Sequence, residues 1–239
     1  MGGRHRRPEG EETTGTRGWV QPTAEKRAEW ALEVARNPPS VDLSPEALLS
    51  AYANGAFPMA EPGSGRIHLY TCDPRCVFDL ERFALPKATV RALRGGDLLI
   101  RCDTAFEQVM RSCAAPRRQD DRSWISEEMV RAYAALHALG HAHSVEAWRG
   151  DALVGGLYGV SLGGAFFGES MFVRPELGGT NASKACLAWL VGRMRERGFT
   201  LLDSQYANEH VLSLGAHEIP AAEYMRRLRA ALDLDASLT

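Results

Sequence analysis

No apolar stretch in this chain is long enough to cross a bilayer, and no hydrophobic leader core follows Met1. The sequence therefore reads as a cytoplasmic protein with no membrane partner. An excess of one charge is missing too. Lys and Arg number 28 against 30 Asp and Glu, a net charge of −2, so a polyanion would have to bind a local basic face and not the whole surface. Cysteine is scarce and odd in number, five residues at 72, 76, 102, 113 and 186. That argues against a disulfide framework and for reduced thiols. Cys72 and Cys76 are followed by no second cysteine pair, so no zinc site is expected. No internal repeat and no Ser-His-Asp set is evident.

What is present is ample core material, 45% hydrophobic residues over 239 positions, enough for one large or two small domains. Residues 1–25 are polar and aperiodic and read as a disordered tail. A small N-terminal domain is expected over 26–101. It holds a short helix near Trp30–Val34 and a strong helix start at Ser44-Pro45-Glu46, where a cap is followed by proline and a first-turn acid. Leu48, Leu49 and Tyr52 follow, Gly55 closes the helix, and a Pro/Gly loop occupies 61–65. Lys87, Arg91 and Arg94 recur at i, i+4 and i+7, one basic helical face. A larger unit is expected over 102–239. Phe106, Val109, Met110 and Cys113 make a helical stripe, Ser126 starts a helix through Met129, Tyr133 and Leu136, and strands follow at about 143–148 and 152–160. His141 and His143 alternate on the first strand and read as surface or satisfied histidines.

Residues 155–172, GGLYGVSLGGAFFGESMF, carry the most information. Two apolar runs flank Ser161-Leu162-Gly163-Gly164, which predicts a β-hairpin. Glu169 stands among Phe166, Phe167, Met171 and Phe172. A lone carboxylate in such company is costly unless paired or used. Gly168 removes a side chain where a ligand approaches the backbone. Beyond the Gly178-Gly179 loop, Leu187, Leu190, Val191 and Met194 form one buried helical stripe that Asn181 or Ser183 can cap and Gly198 can end. A strand over 199–202 then leads into Asp203-Ser204-Gln205, at the strand end where open α/β sheets place ligands.

With these residues assembled, the chain resembles the leucyl/phenylalanyl-tRNA–protein transferase family. The resemblance runs in order from Tyr52 to about Leu228. It is carried by Tyr52-Ala-Asn-Gly-Ala-Phe-Pro-Met59, Asp73-Pro74-Arg75, Ser112-Cys113-Ala114 with Arg117, Trp124-Ile125, Ala132-Tyr133, Leu136-His137 and Ala142-His143-Ser144-Val145-Glu146. Gly155-Gly156-Leu157-Tyr158-Gly159-Val160, Gly168-Glu-Ser-Met-Phe172, Asn181-Ala-Ser-Lys184, Asp203-Ser204-Gln205, His210 and Ser213-Leu-Gly-Ala216 complete it. The resemblance implies an α+β or α/β protein whose larger domain is acetyltransferase-like (GNAT-like), a mixed sheet flanked by helices. It implies transfer of Leu or Phe, less readily Met, from aminoacyl-tRNA to the N-terminal Arg or Lys of acceptor proteins, which marks them for degradation by the N-degron route. No cofactor or metal is implied, and a monomer is expected.

Site residues follow from the same resemblance. Asp203 and Gln205, two apart on a strand, would face the same side, the carboxylate orienting an amide that accepts a hydrogen bond from the attacking amine. Glu169 would hold the donor's α-ammonium or help bind the acceptor. Phe166, Met171, Leu187, Leu190 and Leu202 would wall the donor side-chain pocket. Lys87, Arg91 and Arg94 suit acceptor-stem phosphates, and Trp124 a base or ribose. The chain departs from the family at Leu69-Tyr70-Thr71-Cys72, where Trp-Trp-Ser-Pro is usual, which leaves Tyr70 as the aromatic face for the terminal adenosine. It also has Ser204 for the usual Cys and Ala221 for an Arg. Two rivals stand beside this reading. One is an acyl-CoA-dependent N-acyltransferase, for which Arg174 with Gly178-Gly179 would hold pyrophosphate though the alternating glycine spacing is missing. The other is a tRNA- or peptide-binding paralogue without turnover.

Overall fold

The computed structural model describes residues 41–61, 64–94, 97–116 and 123–239. The 1–25 tail, the helix expected at Trp30–Val34 and Arg117 lie outside them. Helix α1 (Pro45–Ala53) begins as its sequence demands, with the Ser44 hydroxyl accepting from the Ala47 N–H, and ends before Gly55 at a φ of 75°. A two-stranded sheet follows, β1 (Phe57–Ala60) antiparallel to β2 (Ile67–Tyr70).

The rest is organised on one mixed sheet. Its strands are β3 (Arg75–Phe78), β4 (Leu99–Cys102), β5 (Ala142–Arg149), β6 (Ala152–Leu162), β7 (Ala165–Val173), β8 (Leu201–Asp203) and β9 (Ala216–Ile219), in the order β4-β5-β6-β7-β8-β3-β9. The β7–β8 pair is parallel and the other pairs are antiparallel. The mixed sheet flanked by helices is as the resemblance implies. The expected hairpin is β6–β7, turning at Gly163-Gly164. Sheet topology does not follow the 101/102 division, because β3, within the 26–101 domain expected from sequence, and β4, which straddles the boundary, are members of the large sheet.

Two cores follow from strand alternation. On one face Val77, Phe167 and Leu201 meet α1, α3 (Phe106–Ala114), α4 (Glu127–Ala138) and α7 (Ala221–Leu232). On the other Phe78, Phe166 and Leu202 meet α5 (Ala182–Glu196) and α6 (Glu209–Ser213). The basic segment is helix α2 (Lys87–Arg94), in the connection from β3 to β4.

Two local features shape the site. First, β7 pairs β8 only from Ala165 to Phe167, where Phe167 faces Asp203, yet β7 runs on to Val173. The sheet therefore opens between them. Second, Tyr158 pairs Ser170 while Gly159 pairs Gly168, so Glu169 is an extra residue, a β-bulge. The bulge shifts the phase of the strand. Phe167 joins the first core, whereas Met171, an even number of residues on, joins the second.

Candidate functional site

Asp203 ends β8 completely buried, and its carboxylate is fully engaged. Oδ1 accepts from Arg75 Nε at 2.9 Å and from the Gln205 backbone N–H at 2.9 Å. Oδ2 accepts from Arg75 Nη2 at 2.6 Å and from the Tyr224 hydroxyl at 2.8 Å. Arg75 itself is 1% exposed. Its remaining N–H groups reach the Gly55 carbonyl at 2.9 Å, Cys72 Sγ at 3.7 Å and the Tyr224 oxygen at 3.2 Å, so its whole donor fork is used. The guanidinium also lies over two rings, 4.9 Å from the Phe57 centroid and 4.4 Å from that of Tyr224.

The alternation expected for Asp203 and Gln205 does not hold. Gln205 lies beyond the end of β8 with a φ of 54°, in the left-handed region. Asp203 consequently grips its backbone and not its amide. The Gln205 side chain instead turns to the bulge, where Nε2 donates to Glu169 Oε1 at 3.2 Å. The same Glu169 oxygen accepts from the Tyr52 hydroxyl at 2.8 Å, and Tyr52 shares a further hydrogen bond with the Tyr133 hydroxyl. Among the described residues the Gln205 amide oxygen accepts nothing. Burial pushes the Glu169 carboxyl up to about 8; the Tyr52 hydrogen bond opposes that and the charge on Asp203 adds to it. Burial also holds the Tyr52 and Tyr133 phenols well above their ordinary range, with Glu169 adding to the effect.

A small cavity lies in the opening between β7 and β8. Phe78, Leu157, Met171, Leu187, Leu190 and Leu202 supply its apolar wall, and Gly168, Ser170, Asp203 and Ser204 its polar end. Of the residues expected to wall the donor pocket, Met171, Leu187, Leu190 and Leu202 line this cavity, and Phe166 does not. It is wholly enclosed in the core on the same side of the sheet. Gly168 leaves room, since a Cβ there would come no closer than 3.4 Å to the Asp203 carbonyl oxygen.

The outlying expected residues are not brought into this cluster. Tyr70 is 7% exposed and packs in the core, its ring centroid 6.4 Å from Phe57 and 6.3 Å from His68. Trp124 is half-buried beside β1, its carbonyl accepting from the Ala60 N–H at 3.0 Å. Lys87, Arg91 and Arg94 are exposed on α2 and form no ion pair among the described residues. Arg75, Tyr52, Tyr133 and Tyr224 are the site residues that sequence reasoning missed. The first three stand in the quoted motifs, but nothing local marks them as partners of Asp203 or Glu169. The structure also contains a hydrogen-bonded Asp103–His143–Ser161 series not evident in the sequence, with His143 Nδ1 2.7 Å from Asp103 and Nε2 3.2 Å from Ser161. None of the three lines the cavity, and the series makes His143, 3% exposed, a satisfied histidine.

Among the described residues, no group of three or more His, Cys, Asp or Glu side chains could hold a metal ion, and no helix is long and apolar enough to cross a membrane. Fold and site together define a mixed-sheet α/β protein with a buried acid–amide–phenol cluster at an opening in the sheet. Comparison with known proteins carries this further. The family model described as leucyl/phenylalanyl-tRNA protein transferase matches residues 77–229, and that for the N-terminal domain of the same transferase matches 41–73. The chain belongs to the leucyl/phenylalanyl-tRNA–protein transferase family. Relatives bearing that name include one from Rubrobacter xylanophilus, 53% identical over 194 residues, covering 81% of this chain and 97% of the relative. Another, from Gloeobacter violaceus, is 51% identical over 196 residues, covering 81% and 96%. Among solved structures, a ribosomal-protein-alanine N-acetyltransferase from Brucella melitensis biovar Abortus 2308 aligns with 59% of this chain and 94% of its own. Its identity is 17% and the TM-score 0.35.

Proposed function

We propose that this protein transfers leucine or phenylalanine, and less readily methionine, from aminoacyl-tRNA to the N-terminal Arg or Lys of acceptor proteins, marking them for degradation. One observation carries the reading. Gln205 is anchored at both ends, backbone to Asp203 and Nε2 to Glu169, so its amide oxygen, which accepts nothing among the described residues, is held in place immediately beyond Asp203 and Ser204, which line an apolar cavity.

The chemistry asks for little more than placement. An aminoacyl ester is already activated, and an α-amine with a pKa of about 7.7–8.0 is substantially neutral near pH 7.5. The amine nitrogen attacks the ester carbonyl, a C–N bond forms, the bond to the ribose oxygen breaks, and the proton lost by the amine ends on that leaving oxygen. Gln205 accepts a hydrogen bond from the amine and so aims its lone pair. Asp203, with every oxygen lone pair directed at Arg75, Tyr224 or the Gln205 backbone, acts as a positioning residue. Met171 with four leucines gives an adaptable apolar wall suited to both Leu and Phe. Lys87, Arg91 and Arg94 supply the phosphate-binding face, and Trp124 a ring against the tRNA end.

The test offers purified protein radiolabelled Leu-, Phe- and Met-tRNA with peptides beginning Arg, Lys or Ala, and acetyl-CoA in a parallel arm. Transfer from Leu- or Phe-tRNA to the Arg and Lys peptides is expected. No transfer from any charged tRNA, with acetylation from the CoA ester, would overturn the reading.

A further inference from the structure

The orientation of Gln205 depends on a backbone conformation that side chains disfavour. Its φ of 54° lies in the left-handed region, and such a conformation persists where the surroundings hold it. Three hydrogen bonds hold it here. The Gln205 N–H donates to Asp203 Oδ1 at 2.9 Å. The Gln205 carbonyl accepts twice, from the Cys76 N–H at 2.9 Å and from the Cys72 thiol at 3.2 Å. The first partner is a carboxylate already fixed by Arg75 and Tyr224, and the second is a main-chain group of β3. The third is a side chain, and it is one of this chain's departures. The family's usual proline at that position carries no donor, so this clamp is particular to this chain.

The surroundings of the thiol fix what it does. A thiol has one proton and a weakly accepting sulfur. Arg75 Nη1 donates to that sulfur at 3.7 Å, which leaves the S–H proton for the Gln205 carbonyl. Cys72 is 9% exposed, and burial pushes its thiol up to about 12 against the pull of the Arg75 charge. The proton therefore stays on sulfur throughout the neutral range, and the group is a donor and not a nucleophile. Cys72 thus joins the two halves of the site. On one side is Arg75, which grips the Asp203 carboxylate, and on the other is Gln205, whose Nε2 meets Glu169.

We infer that Cys72 is a positioning residue for aminoacyl transfer: its thiol holds the Gln205 carbonyl, and through that backbone aims the Gln205 amide oxygen at the attacking amine. This rests on the role proposed for Gln205 and deepens it. Cys72 acts through Gln205 and not on a substrate, so its effect falls on turnover.

Variants of the whole chain separate this role from packing. Cys72→Val fills the space without a donor, and Cys72→Ser keeps a donor. In steady-state transfer from Phe-tRNA to a peptide beginning with Arg, Cys72→Val should lower kcat about two- to fivefold, the worth of one weak S–H···O bond. The KM for Phe-tRNA and the melting temperature should stay nearly unchanged, and Cys72→Ser should restore most of kcat. In a Gln205→Ala background, Cys72→Val should lower kcat no further, because the group it positions is gone. A wild-type kcat in Cys72→Val, with Gln205→Ala slow, overturns the proposal and leaves the role of Gln205 standing. The same fold loss from Cys72→Val in both backgrounds also overturns it, as does a loss that follows a lowered melting temperature and is not recovered by Cys72→Ser. If Gln205→Ala turns over at the wild-type rate, the reading of Gln205 falls, and this proposal with it.

Discussion

Arg75 and Asp203, 128 residues apart in sequence, form a two-pronged ion pair at 2.9 and 2.6 Å with neither side chain more than 1% exposed. Removing one member of such a pair strands a charge in the interior at a cost of about 3–5 kcal/mol. Arg75→Ala should therefore lower urea stability by that order, and Arg75→Lys should recover little, because an ammonium cannot reproduce the fork. A wild-type melting temperature in Arg75→Ala would contradict the pair's role in holding β3 to β8.

Glu169 predicts a pH dependence. Its folded pKa, raised to about 8, exceeds the unfolded value near 4.3, so the folded state binds more protons between them. Its contribution to stability is thus fully present below about pH 4.3 and lost as pH rises through 8. Glu169→Gln should gain stability relative to wild type from pH 5 to pH 8.5. Denaturant titrations at both pH values check this, and a constant difference would refute it.

The bulge should be intolerant of added bulk. A Cβ on Gly159 would lie 2.3 Å from the Phe167 carbonyl oxygen and 2.4 Å from the Phe166 ring. Backbone cannot yield there without moving β7. Gly159→Ala should cost about 1–3 kcal/mol and raise the KM for the donor, since Glu169 and Gly168 shift with the strand. Normal kinetics and stability would show the bulge to be plastic.

Tyr70 separates stacking from packing. Buried against Phe57, it should behave as core, so Tyr70→Ala should lose about 3 kcal/mol of stability. A variant that melts normally but binds the tRNA 3′ end poorly would restore the adenosine-stacking expectation.

The exposed face of α2 should act through charge alone. Replacing Lys87, Arg91 and Arg94 together by Ala should leave the melting temperature in place. The log–log salt slope of tRNA binding should flatten by about 2–3 units. An unchanged slope would place the tRNA elsewhere.

Local chemistry was legible from the sequence. The Ser44 and Ser126 caps, the β6–β7 hairpin, the α5 stripe and the cost of Glu169 all rest on spacings within one or two turns or strands. The family resemblance was legible as well, through motifs in fixed order. Neither revealed the partners. Nothing near Asp203 indicates that Arg75 meets it across β3, a strand inserted between β8 and β9 from far earlier in the chain. Nothing near Glu169 names Tyr52 or Tyr133. Period-two alternation placed Asp203 and Gln205 on one face, but a single left-handed residue beyond the strand end turned Gln205 towards the bulge. The sequence by itself determined helices α1 to α5, strands β5 to β8 and which side chains are expensive to bury, because those depend on near neighbours; the short strands β1 to β4 and β9 and helices α6 and α7 carried no comparable local pattern. Only the tertiary structure decided which buried groups satisfy one another, because that depends on strand order and one extra residue in β7, and neither leaves a period in the chain.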